Sequence, residues 1–196
     1  MPHGIFNAFP EKYDRWYDDH RETYLQELGI LERYSRGEGW DLEIGVGTGR
    51  FAAPLGIRLG LDPSLPMLRM ARARGVEVIR GIAEALPLSD ASLQSVLVMT
   101  SLCYFDDPWR AFGEIYRVLA PGGRLTIGFL GRGEEIAVKY RENGEKGTFL
   151  AHARFSTPEE VTSLLARAGF TMPGEVDTGG AGLRGFHVVT ATRPGT

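Results

Sequence analysis

Three glycines stand at every second position in Asp41-Leu42-Glu43-Ile44-Gly45-Val46-Gly47-Thr48-Gly49, and the acidic Glu43 lies two residues ahead of the first. Glycine lets a backbone pass close to a ligand, and a turn that opens a helix points unpaired N–H groups at it. A second acid, Asp62, follows the run Ile57 to Leu61. A carboxylate at the end of a strand can accept from two hydroxyls at once. The Gly-x-Gly-x-x-Gly fingerprint of nicotinamide and flavin enzymes needs its third glycine at position 50, which is Arg50, so that spacing fails. No His, Asp or Glu cluster has ligand spacing, and no metal is expected.

The elements that must position these residues read as alternating strands and helices. Phe9 to about Tyr34 has helical spacing, broken near His20. Trp40 to Ile44 reads as a first short strand, the glycines open a helix at about Arg50, and Ile57 to Leu61 reads as a second strand. Ser64 caps a helix that stops at Gly75, and Val76 to Ile79 follows as the third strand. Leu93 to Met99 is apolar almost throughout, as a parallel strand covered on both faces should be. Phe112, Ile115, Tyr116 and Leu119 mark an amphipathic helix from Trp109, and Pro121-Gly122-Gly123 turns the chain into a fifth strand, Arg124 to Leu130. Thr157, Pro158 and Glu160 form a capping box ahead of a last helix, and two strands near Phe170 to Thr178 and Gly185 to Thr192 close the chain. The pattern predicts an α/β doubly wound, Rossmann-like sheet in one domain spanning 1–196.

With 196 residues, 43% of them apolar, the chain can fill one sizeable core. A net charge of -3 offers no field for a phosphate polymer, so no nucleic-acid partner is expected. One cysteine, Cys103, permits neither an intrachain disulfide nor a thiolate zinc cluster, and it reads as a small residue near the core. No apolar run approaches the length of a membrane span, and Met1 to Phe6 has no basic segment ahead of an apolar stretch, so a cytoplasmic location and no membrane partner are expected.

The turn Glu43-x-Gly45-x-Gly47-x-Gly49 resembles the first motif of the class I S-adenosylmethionine (SAM) dependent methyltransferases, in particular the small bacterial and archaeal group called type 11. Three further stretches are similar to that family in order and spacing: Leu59-Gly60-Leu61-Asp62-Pro63, Gly81-Ile82-Ala83-Glu84-Ala85-Leu86-Pro87, and Glu114-x-x-Arg117-Val118-Leu119-x-Pro121-Gly122-Gly123. The resemblance implies seven strands in the order 3-2-1-4-5-7-6, with strand 7 antiparallel and helices on both faces. It implies that Gly45, Gly47 and Gly49 hold the methionine portion of SAM, with Glu43 supporting the turn. An acidic side chain suits a ligand bearing an ammonium and a sulfonium better than it suits a pyrophosphate. Asp62 would take the ribose hydroxyls, and Pro63 would lie against the adenine. The family's usual aspartate between the glycine and the alanine of the adenine loop is replaced by Ile82, which leaves adenine to the backbone around Ala83 and Glu84. Met99 and Thr100, at the end of the fourth strand, would line the methionine side.

Tyr13-Asp14-Arg15-Trp16-Tyr17 resembles a segment that folds over the cofactor, making residues 1–36 an N-terminal helical lid with Tyr13 and Trp16 in contact, and 131–155 a variable substrate cover. Methyl transfer from a sulfonium is an in-line displacement with a neutral leaving group, so alignment supplies much of the rate and a general base is optional. For an acceptor base the sequence nominates only Tyr104, His20 and His152. The expected activity is SAM-dependent methylation of a small-molecule acceptor, with S-adenosylhomocysteine as product. The alternative is a SAM-binding sensor or partner subunit without catalysis.

Overall fold

The sheet is built outward from Leu93–Met99 (β4), whose side chains alternate between two cores as the two-residue period of a strand requires. Val96 and Val98 face one core with Phe112, Ile115, Val161 and Leu165. Leu97 and Met99 face the other with Leu28, Leu31, Leu68 and Ala71. The computed structural model describes residues 3–35, 41–133, 149–172 and 185–195. Within them, Leu42–Ile44 (β1), Leu59–Asp62 (β2), Glu77–Arg80 (β3), β4, Leu119–Leu130 (β5) and Phe186–Thr192 (β6) form one sheet in the order β3-β2-β1-β4-β5-β6. The first five run parallel and β6 is antiparallel to β5. That is the doubly wound Rossmann-like fold expected, with six strands among the described residues in place of seven. The remaining strand, expected over 170–178, falls mostly outside them; an antiparallel bridge between Thr171 and Thr192 marks where it would start.

The α-helices among the described residues are His3–Ala8 (α1), Pro10–Asp19 (α2), Arg21–Ser35 (α3), Leu65–Ala73 (α4), Pro108–Val118 (α5) and Pro158–Arg167 (α6). Ser64 caps α4 by accepting from the Met67 amide, and Thr157 and Glu160 close the expected capping box on α6. The break near His20 separates α2 from α3 as expected.

Two local expectations are corrected. No sustained helix follows the glycines: residues 49–57 form successive turns, with Ala53 N–H donating to the Gly49 carbonyl and Ile57 N–H to that of Ala52. Pro54 has no N–H to give the Arg50 carbonyl, and the Tyr24 hydroxyl takes that carbonyl instead at 2.5 Å. The fifth strand begins at Leu119, not Arg124. Leu119 already pairs with Leu93, and Pro121-Gly122-Gly123 is carried inside β5 as an irregularity where the register shifts.

Candidate functional site

The carboxyl ends of β1, β2 and β4 meet where the sheet order reverses, the place where open α/β sheets leave a crevice. Gly45, Gly47 and Gly49 adopt φ of +75°, +51° and +81°, a conformation side chains resist. A Cβ on Gly45 would lie 2.3 Å from Ser101 Cβ. Ser101 cannot simply yield, because its hydroxyl donates to the Ile44 carbonyl at 2.7 Å. The turn is strapped to β2: Gly45 N–H and Val46 N–H donate to the Leu61 carbonyl at 2.7 and 3.1 Å, and Gly47 N–H donates to Asp62 Oδ2 at 3.0 Å. Asp62 Oδ1 accepts from Ser64 N–H at 2.8 Å. Each carboxylate oxygen can accept more than one bond, so Asp62 builds the turn and can still take further donors.

These residues border a cleft enclosing about 800 Å³, part of it open to solvent. Of the residues singled out in the sequence, Gly45 and Gly47 line its floor, and Asp62 and Pro63 one end. Ala83 and Glu84 line the loop after β3, Met99 and Thr100 the end of β4. Tyr13 and Tyr104 complete the set from α2 and from the 3-10 turn Leu102–Tyr104. Thr100 holds φ +51°, a costly value for a β-branched residue, and its N–H donates to the Gly128 carbonyl at 2.8 Å. Glu84 Oε1 accepts from the amides of Asp106 and Asp107 at 2.8 and 3.2 Å, tying the loop after β3 to the one after β4. From behind, Glu114 accepts from Leu86 N–H while Arg117 donates to the Leu86 and Leu88 carbonyls, so the Glu114-x-x-Arg117 pair positions the same loop.

Five singled-out residues lie elsewhere. Glu43 sits in the sheet beneath the turn, 1% exposed, and burial pushes its carboxyl well above the usual range; its Oε2 has no hydrogen-bond partner. Gly49 packs the turn on α4, where a Cβ would come within 3.1 Å of Ala71 Cα. Trp16 stacks on His20 at 4.5 Å between ring centres, outside the cleft. His20 and His152 are exposed, and neither lines the cleft. Tyr104 is half-buried with its hydroxyl donating to the Phe149 carbonyl at 3.0 Å, and desolvation raises its pKa.

The sequence reading did not single out Phe6, whose ring roofs the cleft edge-on to Tyr13 at 5.6 Å and to Tyr104 at 5.1 Å, and stacked on Phe149 at 5.3 Å. A lone phenylalanine near the amino terminus carries no local signal of such a role. Ile82 lines the cleft and stays 41% exposed, adding an apolar surface to the wall after β3.

Residues 42–127 match the family described as "Methyltransferase domain". A crystal structure from Thermotoga maritima, described as a SAM-dependent methyltransferase and possible histamine N-methyltransferase, is 40% identical and superposes with a TM-score of 0.87 over 98% of this chain and 100% of that one. The demethylmenaquinone methyltransferase of Thermus thermophilus is 32% identical over 178 residues, covering 75% of this chain and 80% of the relative. The chain belongs to the SAM-dependent methyltransferases. An uncharacterized protein of Methanocaldococcus jannaschii is 37% identical over 168 residues, 85% of this chain and 81% of its own. The methyltransferase therefore uses SAM as cofactor, and the cleft must accept it. The residues fit: an acid stands at the end of β2, and glycines stand where a Cβ would fill the floor. Among the described residues, no helix is long and apolar enough to cross a membrane, and no group of three or more His, Cys, Asp or Glu could hold a metal ion.

Proposed function

We propose that the protein methylates a small organic acceptor that reaches the cleft past Thr100. The observation that carries this reading is a second, smaller recess lined by Leu102, Cys103, Phe129, Leu130, Leu150 and Phe155 among others, which shares only Thr100 with the main cleft. Its walls are largely apolar; Arg154 stands at its rim, held by the Phe105 carbonyl and by Asp106. An apolar recess beside the main cleft suits the apolar part of a small organic molecule. The names of two relatives, a possible histamine N-methyltransferase and a demethylmenaquinone methyltransferase, support a small organic acceptor.

SAM, when bound, supplies a methyl group on a sulfonium. In this reading Asp62 accepts from the ribose hydroxyls, the backbone of Gly45 and Gly47 lies along the methionine portion, and Pro63, Ile82, Ala83 and Glu84 enclose the adenine. Met99 and Thr100 border the methionine side, and Tyr13 and Phe6 exclude water from above. Tyr104 is a poor base, because its proton is committed to Phe149 and burial opposes its loss. The Cys103 thiol, pushed up to about 12 by burial, is no better. The protein's part is accordingly alignment, and the acceptor atom brings its own lone pair.

Calorimetry with SAM, S-adenosylhomocysteine and NAD tests the cofactor half; the two sulfur compounds should bind and NAD should not. Failure of both to bind at millimolar concentration would overturn the assignment of the cleft. Release of S-adenosylhomocysteine across a panel of ring-bearing amines and quinols then tests the acceptor half, and turnover only with protein or nucleic-acid acceptors would reject it. Since Tyr13 lines the cleft and Trp16 does not, Tyr13→Ala should weaken S-adenosylhomocysteine binding about 10-fold and Trp16→Ala less than about 2-fold. Equal losses would mean that both act by packing α2.

A further inference from the structure

Arg50, the residue after the last turn glycine, turns its guanidinium away from the cleft and grips α2. Its Nε and Nη2 donate to the two carboxylate oxygens of Asp14 at 2.9 and 2.7 Å, and its Nη1 and Nη2 to those of Asp18, both at 2.8 Å. A third donation from Nη2 reaches the Asp14 carbonyl at 3.0 Å. Asp14 also accepts from Arg74 Nη2 at 2.8 Å, while Arg74 Nη1 holds the Thr48 carbonyl of the turn at 2.8 Å. Two arginines, one from the turn and one at the end of α4, thus converge on one carboxylate of the N-terminal segment.

The two arms are unequal. The Asp14 side chain is 12% exposed and that of Arg50 16%, whereas Asp18 is 60% exposed. A paired, forked contact taken out of water holds geometry far better than one at the surface, where solvent screens it. Burial alone would raise the Asp14 carboxyl, yet the hydrogen bonds from Arg50 and Arg74 hold it below its ordinary value.

Asp14 directly follows Tyr13, whose ring lies 3.4 Å from where a Cβ on Gly47 would stand. Fixing Asp14 therefore fixes how Tyr13 sits over the turn. We propose that Arg50 is a positioning residue: through Asp14 it latches α2 to the glycine turn and sets the aromatic roof over the cofactor. The latch rests on reading the cleft as the SAM site, but its closure is visible without cofactor. Trp16 lies on the same helix, between Asp14 and Asp18, so its fluorescence reports whether α2 is seated once the other tryptophans are replaced by Trp40→Phe and Trp109→Phe.

In that background, Arg50→Gln and Asp14→Asn should each weaken S-adenosylhomocysteine binding about 10-fold and make Trp16 more accessible to acrylamide in the cofactor-free protein. The double variant should be no weaker than the stronger single one, since both break the same contact. Arg50→Lys keeps the charge but not the fork, so it should fold and recover part of the loss; Asp18→Asn should stay within about 2-fold of the parent. Additive losses, or Trp16 quenching unchanged in Arg50→Gln and Arg50→Lys alike, would overturn the latch. If the parent does not bind S-adenosylhomocysteine, the cofactor reading fails, while the quenching comparison still decides the latch.

Discussion

Asp62→Ala is expected to weaken SAM binding about 100-fold or more, because two charge-assisted hydrogen bonds at roughly 1.5–3 kcal/mol each would be lost at the ribose. The structure adds a second cost. Asp62 also accepts from Gly47 N–H and Ser64 N–H, so the variant leaves both amides without that acceptor and loosens the turn from β2. Asp62→Asn separates the two contributions. Its single carbonyl oxygen can keep one amide, while its NH2 group would face the other, donor against donor. It should bind more tightly than the alanine variant and still well below the parent. Calorimetric titration with S-adenosylhomocysteine reads all three, and a dissociation constant unchanged in Asp62→Ala would remove Asp62 from the cofactor site.

How much of this was legible in the sequence follows from the range of the interactions. β4 was readable residue for residue because a strand covered on both faces is apolar almost throughout, and the cap of α6 was readable because Thr157, Pro158 and Glu160 do their work within one helical turn. The turns at 49–57 resisted, although Pro54 was visible. The carbonyl that Pro54 cannot bond is taken by Tyr24, twenty-six positions earlier, and nothing local announces that partner. Arg50 shows the same limit. Its position spoke against a dinucleotide fingerprint, but its grip on Asp14 joins residues thirty-six apart. Glu43 was legible as an acid beside glycines; that it points into the core below them depends on the pairing of β1 between β2 and β4. Phe6 reaches the cleft only because α1 packs across α4.

Glu27→Gln should stabilise the methyltransferase, and by more as pH rises. Glu27 lies on α3, 7% exposed, and burial pushes its carboxyl up to about 8. Below its ordinary value near 4.5 the group is neutral in folded and unfolded chains alike, and its ionisation costs nothing. Between that value and about 8 the folded protein keeps a proton the unfolded chain has released, so stability falls steadily as pH rises. Above about 8 the folded state holds a buried charge, and the accumulated loss is on the order of 5 kcal/mol. Glutamine keeps the shape and the hydrogen-bonding end while removing the ionisation. Its melting temperature should therefore sit near that of the parent at pH 5 and exceed it by about 10 °C or more at pH 9. Glu43, also raised by burial, is present in both proteins, so its own titration largely cancels in the difference. A melting difference that stays constant from pH 5 to 9 would show that Glu27 is ionised throughout and that α3 holds the charge by some other contact.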